Sequence, residues 1–460
     1  MAEGANTVES VNTVDDAPFT AFHWRVAIFG AGGWFVDGYV LTSIAVALEQ
    51  IAPQFGLGGT ATGLIGASAL VGILFGALLG GPISDRIGRR RLLTLDLVLF
   101  VVASVLQLFV GSFLPLLILR FILGLAIGVD YAVCSPYMAE LTPRRQRGPV
   151  LAAPPTIWFV GAAVAYAVTA GIAGLGEESW RWMLASSAVP AALVLLLRIG
   201  VPESPRWLMT RGRVEEARAV VRSVFGENAR VEDIAEDDEG NGGIRTLLEG
   251  GYLKRTVFVG LLWLLQISPV FAIYTFAPTV LRALGLGGGY VGSIVLSLLF
   301  VVGAIPVIFF LINGWGRRPV AIAGFVAATI SFVILSFTGI PAWLVAASFV
   351  FYALFMGGAQ TLEGIYPGEL FPTEVRGTAA GIAAAMSRIG SAISTFLLPV
   401  MLESLGISTV MIGLAVLSAL GVWLCLAWAP ETRGKTLREA SGLAVATMSS
   451  GVRANQVHDR

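Results

Sequence analysis

The sequence is poor in charged residues, histidine and cysteine. Only 13% of its 460 residues are Asp, Glu, Lys or Arg, whereas a soluble domain carries about 25%. The two histidines, His23 and His458, lie outside the apolar stretches, which excludes histidine chemistry inside a membrane. The two cysteines, Cys134 and Cys425, lie in separate apolar segments, so neither a structural disulfide nor a zinc site is expected.

Other features that the sequence lacks exclude further classes of function. The formal net charge is zero, which argues against nucleic acid as a partner. No glycine-rich phosphate loop ending in Gly-Lys-Ser/Thr is present, so direct drive by ATP is not expected. The chain does not begin with a basic stretch, a short apolar run and a small-residue cleavage site, so the first apolar segment is predicted to be a retained helix. The one long connection, residues 201–253, holds no catalytic constellation, and no enzymatic activity is predicted.

Long apolar segments dominate what is present. Hydrophobic residues make up 56% of the chain, and twelve segments are long enough to cross a hydrocarbon core of about 30 Å. Because a segment in lipid must satisfy its own backbone hydrogen bonds, these segments are predicted to be helices. They lie near residues 26–50, 61–82, 92–112, 115–139, 150–173, 181–200, 256–281, 289–312, 319–338, 342–366, 378–402 and 407–428. The predicted fold class is an all-α membrane protein with twelve transmembrane helices, surrounded by a lipid bilayer.

Arginine is concentrated in alternate connections between these segments. The connections after the second, fourth, eighth and tenth segments carry Arg86, Arg89, Arg90 and Arg91; Arg144, Arg145 and Arg147; Arg317 and Arg318; and Arg376. The opposite connections at residues 53–60 and 111–115 carry no basic residue. Because positively charged loops stay in the cytoplasm, we predict a multi-pass protein of the cytoplasmic membrane with both termini inside.

The chain contains an internal repeat. Residues 137–148 and 366–377 both read Tyr, two residues, Glu-Leu, one residue, Pro, three residues, Arg-Gly, and they start 229 positions apart. Two further pairs lie 228 apart: Gly88-Arg89-Arg90 with Gly316-Arg317-Arg318, and Pro202-Glu203-Ser204 with Pro430-Glu431-Thr432. The chain is therefore predicted to be two copies of one unit. In a membrane protein, such repeats are typical of secondary transporters, whose substrate site lies where the halves meet.

This repeat gives a domain organisation. We predict a disordered tail at residues 1–24, two pseudo-symmetric six-helix bundles at 25–200 and 254–429, a cytoplasmic linker at 201–253 and a cytoplasmic tail at 430–460. In the linker, Glu215, Glu216, Arg218 and Arg222 alternate with Val214, Ala217, Val220 and Val221, which predicts a short amphipathic helix. The acidic, glycine-rich residues 232–243 that follow are predicted to be flexible.

Four motifs resemble those of a known family. Residues 81–91, Gly-Pro-Ile-Ser-Asp-Arg-Ile-Gly-Arg-Arg-Arg, resemble the loop signature of the major facilitator superfamily. Residues 202–208 and 430–435 resemble the sugar-porter signatures after the sixth and twelfth helices, and the stretch from Arg120 to Gly148 resembles the fourth-helix pattern. The resemblance covers the whole chain and implies two six-helix bundles that rock about a central cavity. A monomer is expected.

The loop motifs supply candidate gating residues. Acidic residues at helix ends that face arginines on neighbouring loops can form cytoplasmic ion pairs that hold one state closed. Exposed pairs contribute only about 0–1 kcal/mol each, which suits a latch that opens repeatedly. The alternative is that the basic loops only set topology. The candidates are Asp85, Glu140, Glu203, Glu369 and Glu431, with Arg89, Arg147, Arg317, Arg376 and Arg433.

Two acids are candidates for proton coupling. Asp37 lies about eleven residues, roughly 16 Å, into the first segment, where a carboxylate is costly unless it is paired, hydrated or protonated. Asp37-Gly38-Tyr39 resembles the pattern of aromatic-acid:proton symporters, although their second acid is Val40 here, whereas sugar:proton symporters place the acid after Gly-Tyr. Asp130, at similar depth in the fourth segment, sits in a sequence that resembles phosphate:proton symporters. The alternatives are a carboxylate satisfied by a neighbouring helix for Asp37 and a structural pair with a buried arginine for Asp130. Asp96 is predicted to support the Asp85 loop instead.

The substrate candidates lie in the second half. Arg388 is permanently charged at mid-depth and needs an anion, either a substrate carboxylate or an internal acid such as Glu363. Gln266 is equivalent to Asp37 by the repeat and survives from the sugar-porter seventh-helix pattern, but Leu265 and Phe271 replace the other polar residues of that pattern. A hexose is therefore disfavoured. Trp34, Trp158, Trp263 and Tyr274 are aromatic candidates for the cavity wall, with packing as the alternative.

Together these features predict a secondary active transporter that takes up a small polar metabolite with protons, an organic or sugar acid being favoured. The coupling ion is the proton, and no other cofactor is expected. The alternatives are a sugar uniporter or symporter, a proton-coupled exporter and a membrane sensor built on a transporter scaffold. The fifth segment lacks the Gly-Pro signature of proton antiporters, which favours uptake.

Overall fold

The computed structural model describes residues 14, 17–232, 247, 252–286, 289–311 and 314–434, and among these it contains helices and turns but no strand. Short stretches of 3-10 helix at Gln107–Phe109 and π-helix at Val307–Leu311 extend two of the helices. The α-helices are α1 Ala21–Gln54, α2 Gly59–Ile87, α3 Arg89–Leu106, α4 Phe113–Glu140, α5 Arg144–Ala152, α6 Pro154–Ala173, α7 Ser179–Ala185, α8 Ala188–Arg198, α9 Pro205–Thr210, α10 Val214–Phe225, α11 Leu253–Thr275, α12 Ala277–Ala283, α13 Gly289–Pro306, α14 Arg317–Leu335, α15 Ala342–Gln360, α16 Leu362–Leu370 and α17 Thr373–Trp428.

Eleven helical stretches in the described part of the chain are long and apolar enough to span a membrane. The last stretch, Val375–Trp428, has 54 residues, which at about 1.5 Å per residue is far longer than a hydrocarbon core of about 30 Å. It is broken at Gly406, whose φ of 79° and ψ of 173° lie outside the helical region and favour glycine. Two spans therefore meet at Gly406, and the predicted twelve-helix fold is confirmed.

The helices pack as two matched halves, α1–α8 and α11–α17. In the first half α2 packs on α4 and α1 on α6; in the second half α13 packs on α15 and α11 on α17. The halves meet mainly through α2 against α17 and α6 against α13. The repeat relates these two interfaces to each other, so the halves join around a pseudo-two-fold axis.

Glycines bring α2 and α4 into close contact. A Cβ on Gly128 of α4 would lie 2.6 Å from the backbone nitrogen of Ala77 and 2.8 Å from the Cα of Gly76. A Cβ on Gly72 would lie 3.0 Å from the carbonyl carbon of Gly124. Because lipid supplies no hydrophobic force between helices, this backbone approach is what van der Waals packing requires here.

The surface segments differ in part from expectation. Helix α1 begins at Ala21, inside the predicted N-terminal tail, and places His23 in its first turn, where the imidazole lies 5.8 Å from the Phe225 ring of α10. Helix α10 covers the residues of the predicted amphipathic linker helix, and the preceding helix α9 was not predicted. The predicted flexible stretch lies outside the described residues from 233 onward, as does the C-terminal tail from 435.

Candidate functional site

Asp37 occupies the interior of the first half. It lies at the middle of α1, its side chain is fully buried, and neither carboxyl oxygen has a hydrogen-bond partner. The charged groups that act on it are those of Asp130, Asp96, Arg198 and Arg388. The position agrees with the predicted mid-depth acid. Tyr131 of α4 lies close enough to act on this carboxylate, so a neighbouring helix supplies one polar group beside it.

A three-residue charge cluster lies beside Asp37. Arg198, at the end of α8, donates from Nη2 to Asp130 Oδ1 at 2.6 Å and from Nη1 to Asp96 Oδ1 at 3.4 Å. All three side chains are at most 4% exposed. The second oxygen of Asp130 has no partner and faces Gly33 of α1, where a Cβ would lie 2.6 Å away. Because Gly33 is one turn before Asp37, the cluster and Asp37 face the same interior space.

These contacts decide two sequence-based interpretations. Asp130 pairs with a buried arginine, which is the structural alternative, although one of its oxygens stays unpaired. The prediction that Asp96 supports the Asp85 loop is wrong. Asp96 instead contacts Arg198 and accepts a hydrogen bond from the backbone nitrogen of Leu97 at 2.6 Å. The reason is that Asp96 faces α8 across the first half rather than the loop.

Arg388 lies at the boundary between the halves. Its guanidinium carbon is 5.3 Å from the centre of the Tyr131 ring in the first half and 5.2 Å from the Phe271 ring in the second. Its side chain is buried and its Nη1 has no hydrogen-bond partner. The Trp34 ring packs on the Tyr131 ring, with ring centres 4.5 Å apart. Two aromatic faces contributed by different halves therefore hold a cation by cation–π contacts.

Glu363 is not the counter-ion of Arg388 in this structure. It lies in α16, is half-buried, and has one carboxyl oxygen without a hydrogen bond. Arg388 forms no ion pair with any residue that the structure describes, although the two charges are close enough to act on each other. Of the two predicted partners, the internal acid is therefore not bound to the guanidinium.

Polar groups without partners surround this boundary. Gln266 of α11 is 1% exposed, and neither its amide nitrogen nor its amide oxygen has a hydrogen bond. The indole nitrogen of Trp158 in α6 is also unpaired. The Trp158 ring lies 5.5 Å from Phe271 and 5.7 Å from Tyr274, so it joins the aromatic group that contacts Arg388. Nearly all buried polar groups in folded proteins have a hydrogen-bond partner. The unpaired groups of Gln266 and Trp158 are therefore available to bind a polar ligand.

The sequence analysis did not predict that Arg120 is buried against α1. This arginine of α4 is 1% exposed and donates from Nη1 to the carbonyl of Val40 at 2.9 Å, while Nε and Nη2 have no partner. Val40 follows Gly38-Tyr39, so it occupies the position at which sugar:proton symporters carry an acid. The signal was present, since Arg120 begins the fourth-helix motif, but the sequence does not show which α1 residue faces it.

The gating candidates form one matched cluster in each half. In the first half Arg89 forms an ion pair with Glu140, which also accepts a hydrogen bond from the Ser204 hydroxyl. In the second half Arg317 donates to Glu369 at 2.6 Å, which also accepts from the Thr432 hydroxyl. The repeat relates the members of these clusters pair by pair. Each cluster ties the loop motif, the end of a transmembrane helix and the residues after the last span of its half.

Glu203 and Glu431 also occupy equivalent positions. Glu203 accepts a hydrogen bond from the backbone nitrogen of Arg90 at 2.9 Å. Glu431 accepts from the backbone nitrogens of Arg317, Arg318 and Arg433 at 3.1, 3.1 and 2.8 Å. Partial burial opposes ionisation of Glu431, but these backbone donors win and lower its pKa. Both carboxylates therefore cap the start of a helix.

The remaining gating candidates make weaker contacts. Arg147 donates to the Thr142 carbonyl and Arg376 to the Phe371 carbonyl, both at 3.4 Å. In the described part of the chain neither the Asp85 carboxylate nor the Arg433 guanidinium has an ion pair. The backbone carbonyl of Asp85 accepts hydrogen bonds from Trp207 and Arg211 at 2.9 and 2.7 Å.

Other polar contacts join the halves at the end opposite the arginine-rich loops. Glu49 of α1 forms an ion pair with Arg282 of α12 and accepts a hydrogen bond from the Tyr290 hydroxyl at 2.7 Å. Glu403 of α17 accepts a hydrogen bond from the backbone nitrogen of Gly59 at the start of α2. This end of the space between the halves is therefore held closed by contacts that cross the interface.

Two matched helical bundles that meet around buried charges and unpaired polar groups define a membrane carrier of the transporter class. Residues 26–443 match the family model described as sugar (and other) transporter, and the chain belongs to this family of the major facilitator superfamily. YaaU of Escherichia coli (strain K12), a metabolite transport protein by name, is 39% identical over 94% of this chain and 97% of its own length. The inner membrane metabolite transport protein YgcS of the same strain is 36% identical over 94% and 96%.

A solved structure has the same fold. The xylose transporter XylE from E. coli, in a partially occluded inward-open conformation, superimposes with a TM-score of 0.78 at 25% identity, over 91% of this chain and all of XylE. The fold and these relatives make the chain a multi-pass membrane transporter that binds a small-molecule substrate, rather than an enzyme.

Proposed function

We propose that this protein imports an organic or sugar acid together with protons by alternating access. Arg388 is the observation that carries the proposal. Its guanidinium is buried between rings from the two halves and has no carboxylate partner among the described residues. A permanently charged group in a water-poor interior needs a counter-ion. A substrate carboxylate, docked bidentately, would supply it.

Neighbouring groups give the rest of the substrate its contacts. The unpaired amide of Gln266 can both donate and accept, and the indole of Trp158 can donate, so both suit hydroxyl or keto groups beside a carboxylate. Tyr274 packs on Trp158 and closes the wall on that side. Glu363, in α16, lines the inner part of the cavity in this proposal.

Proton coupling follows from charge balance between Asp37 and Arg388. An ionised Asp37 and a substrate anion compete for the field of Arg388, because Asp37 is buried and has no hydrogen-bond partner of its own. A proton on Asp37 removes that competition, so the anion binds best when the proton is bound. Asp130, with one unpaired oxygen beside Gly33, assists by receiving or passing the proton.

The charge clusters at the arginine-rich end serve as gating elements in this proposal. The contacts of Glu140 and Glu369 keep the helix ends of each half together, so each half moves as a unit. Glu203, Glu431, Arg147 and the other loop candidates then form the surfaces that close this end, which we propose to be cytoplasmic. The contacts of Glu49 at the opposite end open in the alternate state.

Sugar uptake is the second candidate, and the likeness to a xylose transporter favours it. Against it, α11 carries Leu265 and Phe271 where sugar porters carry polar residues, so fewer groups are available to sugar hydroxyls.

A ligand screen tests the proposal. Purified protein in detergent is heated with monocarboxylates, sugar acids, neutral sugars or inorganic phosphate, and hits are followed as uptake into proteoliposomes. We expect carboxylates to raise the Tm of the wild type, Arg388→Lys to respond weakly and Arg388→Gln not at all. Stabilisation by neutral sugars alone, retained in Arg388→Gln, would favour the sugar candidate.

A further inference from the structure

A groove at the arginine-rich end of the first half plays no part in the transport site. It lies between α3, α9 and α10, has a volume of about 830 Å³, and is lined by residues that include Arg90, Arg91, Leu95, Trp207 and Val220. We name it the α3–α10 groove. We propose that it binds the phosphate headgroup of an anionic phospholipid, with the acyl chains lying along α3.

The side chains that line the groove carry a net formal charge of +1, from Arg90, Arg91 and Arg213 against Glu203 and Glu216. Arg90 and Arg91 are exposed, and their guanidinium groups have no hydrogen bond or ion pair with the described residues. The two acids that also line it are already engaged. Glu203 accepts hydrogen bonds from the backbone nitrogens of Arg90 and Ser204, both at 2.9 Å. Glu216 is held by Arg213 through bonds of 2.7 and 2.5 Å. Two unpaired guanidinium groups side by side suit a phosphate ester.

The same face of α3 continues as an apolar surface. Leu95, Leu99 and Val102 follow Arg91 at intervals of four, four and three residues, and they are 57%, 40% and 47% exposed. Residues at these intervals share one face of a helix. From Arg91 to Val102 the helix rises about 16 Å, close to half of a hydrocarbon core of about 30 Å. A cationic head site above an exposed apolar stripe of this length matches a phospholipid.

Trp207 marks the level of the membrane interface. Its indole nitrogen donates to the carbonyl of Asp85 at 2.9 Å, and Arg211 lies 5.5 Å above its ring. Tryptophan is enriched at the headgroup level because its ring is apolar and its N–H is polar. The groove therefore lies where a headgroup would be.

The second half provides an internal comparison. By the repeat, Arg318 and Pro319 stand at the positions of Arg90 and Arg91. Arg318 is engaged, because its Nη2 donates to the Leu426 carbonyl at 2.7 Å. A pair of unpaired arginines is thus not a requirement of the shared loop motif. It is specific to the half that carries α9 and α10.

Lipid binding is tested on the full chain, delipidated in detergent. Phosphatidylglycerol, phosphatidylcholine with the same acyl chains, and inorganic phosphate are titrated, and bound lipid is counted by native mass spectrometry. We expect phosphatidylglycerol to bind more tightly than phosphatidylcholine. At about 1 kcal/mol per arginine near the surface, Arg90→Gln with Arg91→Gln weakens its binding roughly thirtyfold. The matched control, Arg222→Gln with Arg230→Gln, removes two exposed arginines outside the groove and leaves binding unchanged.

Two further measurements distinguish a loss of lipid binding from a loss of folding. Arg90→Lys with Arg91→Lys retains the charge and keeps most of the binding, and the Tm of each variant without lipid shows whether it is folded. Equal losses in the groove and control variants, or equal binding of the two lipids, overturn the proposal. Tighter binding of inorganic phosphate than of phosphatidylglycerol overturns it as well, since the acyl chains would then contribute nothing to binding.

Discussion

Replacing the buried acids one at a time separates a proton carrier from a structural ion. Asp37 and Asp130 lie in the same interior space, and both are almost fully buried. Asp130 is bound to Arg198, whereas Asp37 has no hydrogen-bond partner. Asp130→Asn is therefore expected to destabilise the protein, and Asp37→Asn is expected to leave stability unchanged or slightly higher.

The magnitude follows from the contacts. Removing one partner of a buried ion pair costs about 3–5 kcal/mol, because the other charge stays buried. Arg198 keeps the Leu93 carbonyl at 2.7 Å and Asp96 at 3.4 Å, which places the loss for Asp130→Asn at the lower end. At about 1 °C per kcal/mol for a chain of this length, a loss of about 3 kcal/mol lowers Tm by about 3 °C. Asp37 has no ion pair to lose. Its amide removes repulsion from Asp130 and Asp96 and also attraction to Arg198 and Arg388, so the net change is expected to be small.

Thermal unfolding of the purified variants in one detergent at neutral pH provides the assay. Asp96→Asn is the graded control and is expected to fall between the two, since its contact with Arg198 is longer. If Asp37→Asn lost as much stability as Asp130→Asn, Asp37 would be a structural ion and the reasoning would be refuted.

Three further outcomes are expected. Gly128→Ala lowers Tm because its Cβ meets the backbone of α2, whereas Gly171→Ala, with open space at that position, does not; equal shifts contradict the packing argument. Glu49→Gln weakens the contacts that close one end, and spin-label distances across that end should lengthen on average; an unchanged distribution contradicts a gate there. Because the folded pKa of Glu431 is lowered, its stabilisation is complete above the unfolded pKa and disappears as pH falls through the folded value. The acid-side fall in Tm should therefore be smaller in Glu431→Gln, and an identical profile contradicts this assignment.

Most of the fold could be predicted from local sequence patterns. The length of each apolar run fixes a span, and even the break at Gly406 agrees with the separation of the last two predicted segments. Glu140 and Glu369 stand at equivalent positions of the repeat and have equivalent partners, because the same motif folds the same way twice. The start of α1 was misplaced, since His23 is held by a contact with α10 that no local pattern reveals.

The interior of the site was harder to predict because its contacts join distant helices. The position of Asp37 and Arg388 along their predicted spans places both near the middle of the membrane. It does not show which side chains contact each other. Asp96 was assigned to the wrong neighbour, and Arg120 to none, because the rotation of each helix about its axis depends on packing. The roles of these residues in transport remain predictions.

The most direct test of proton coupling at Asp37 compares two modes of transport in proteoliposomes. With a substrate from the ligand screen, wild type is expected to accumulate substrate when a pH gradient is imposed and to exchange it without a gradient. Asp37→Asn is expected to lose gradient-driven accumulation and to keep counterflow exchange. Accumulation by Asp37→Asn equal to that of wild type would contradict the account.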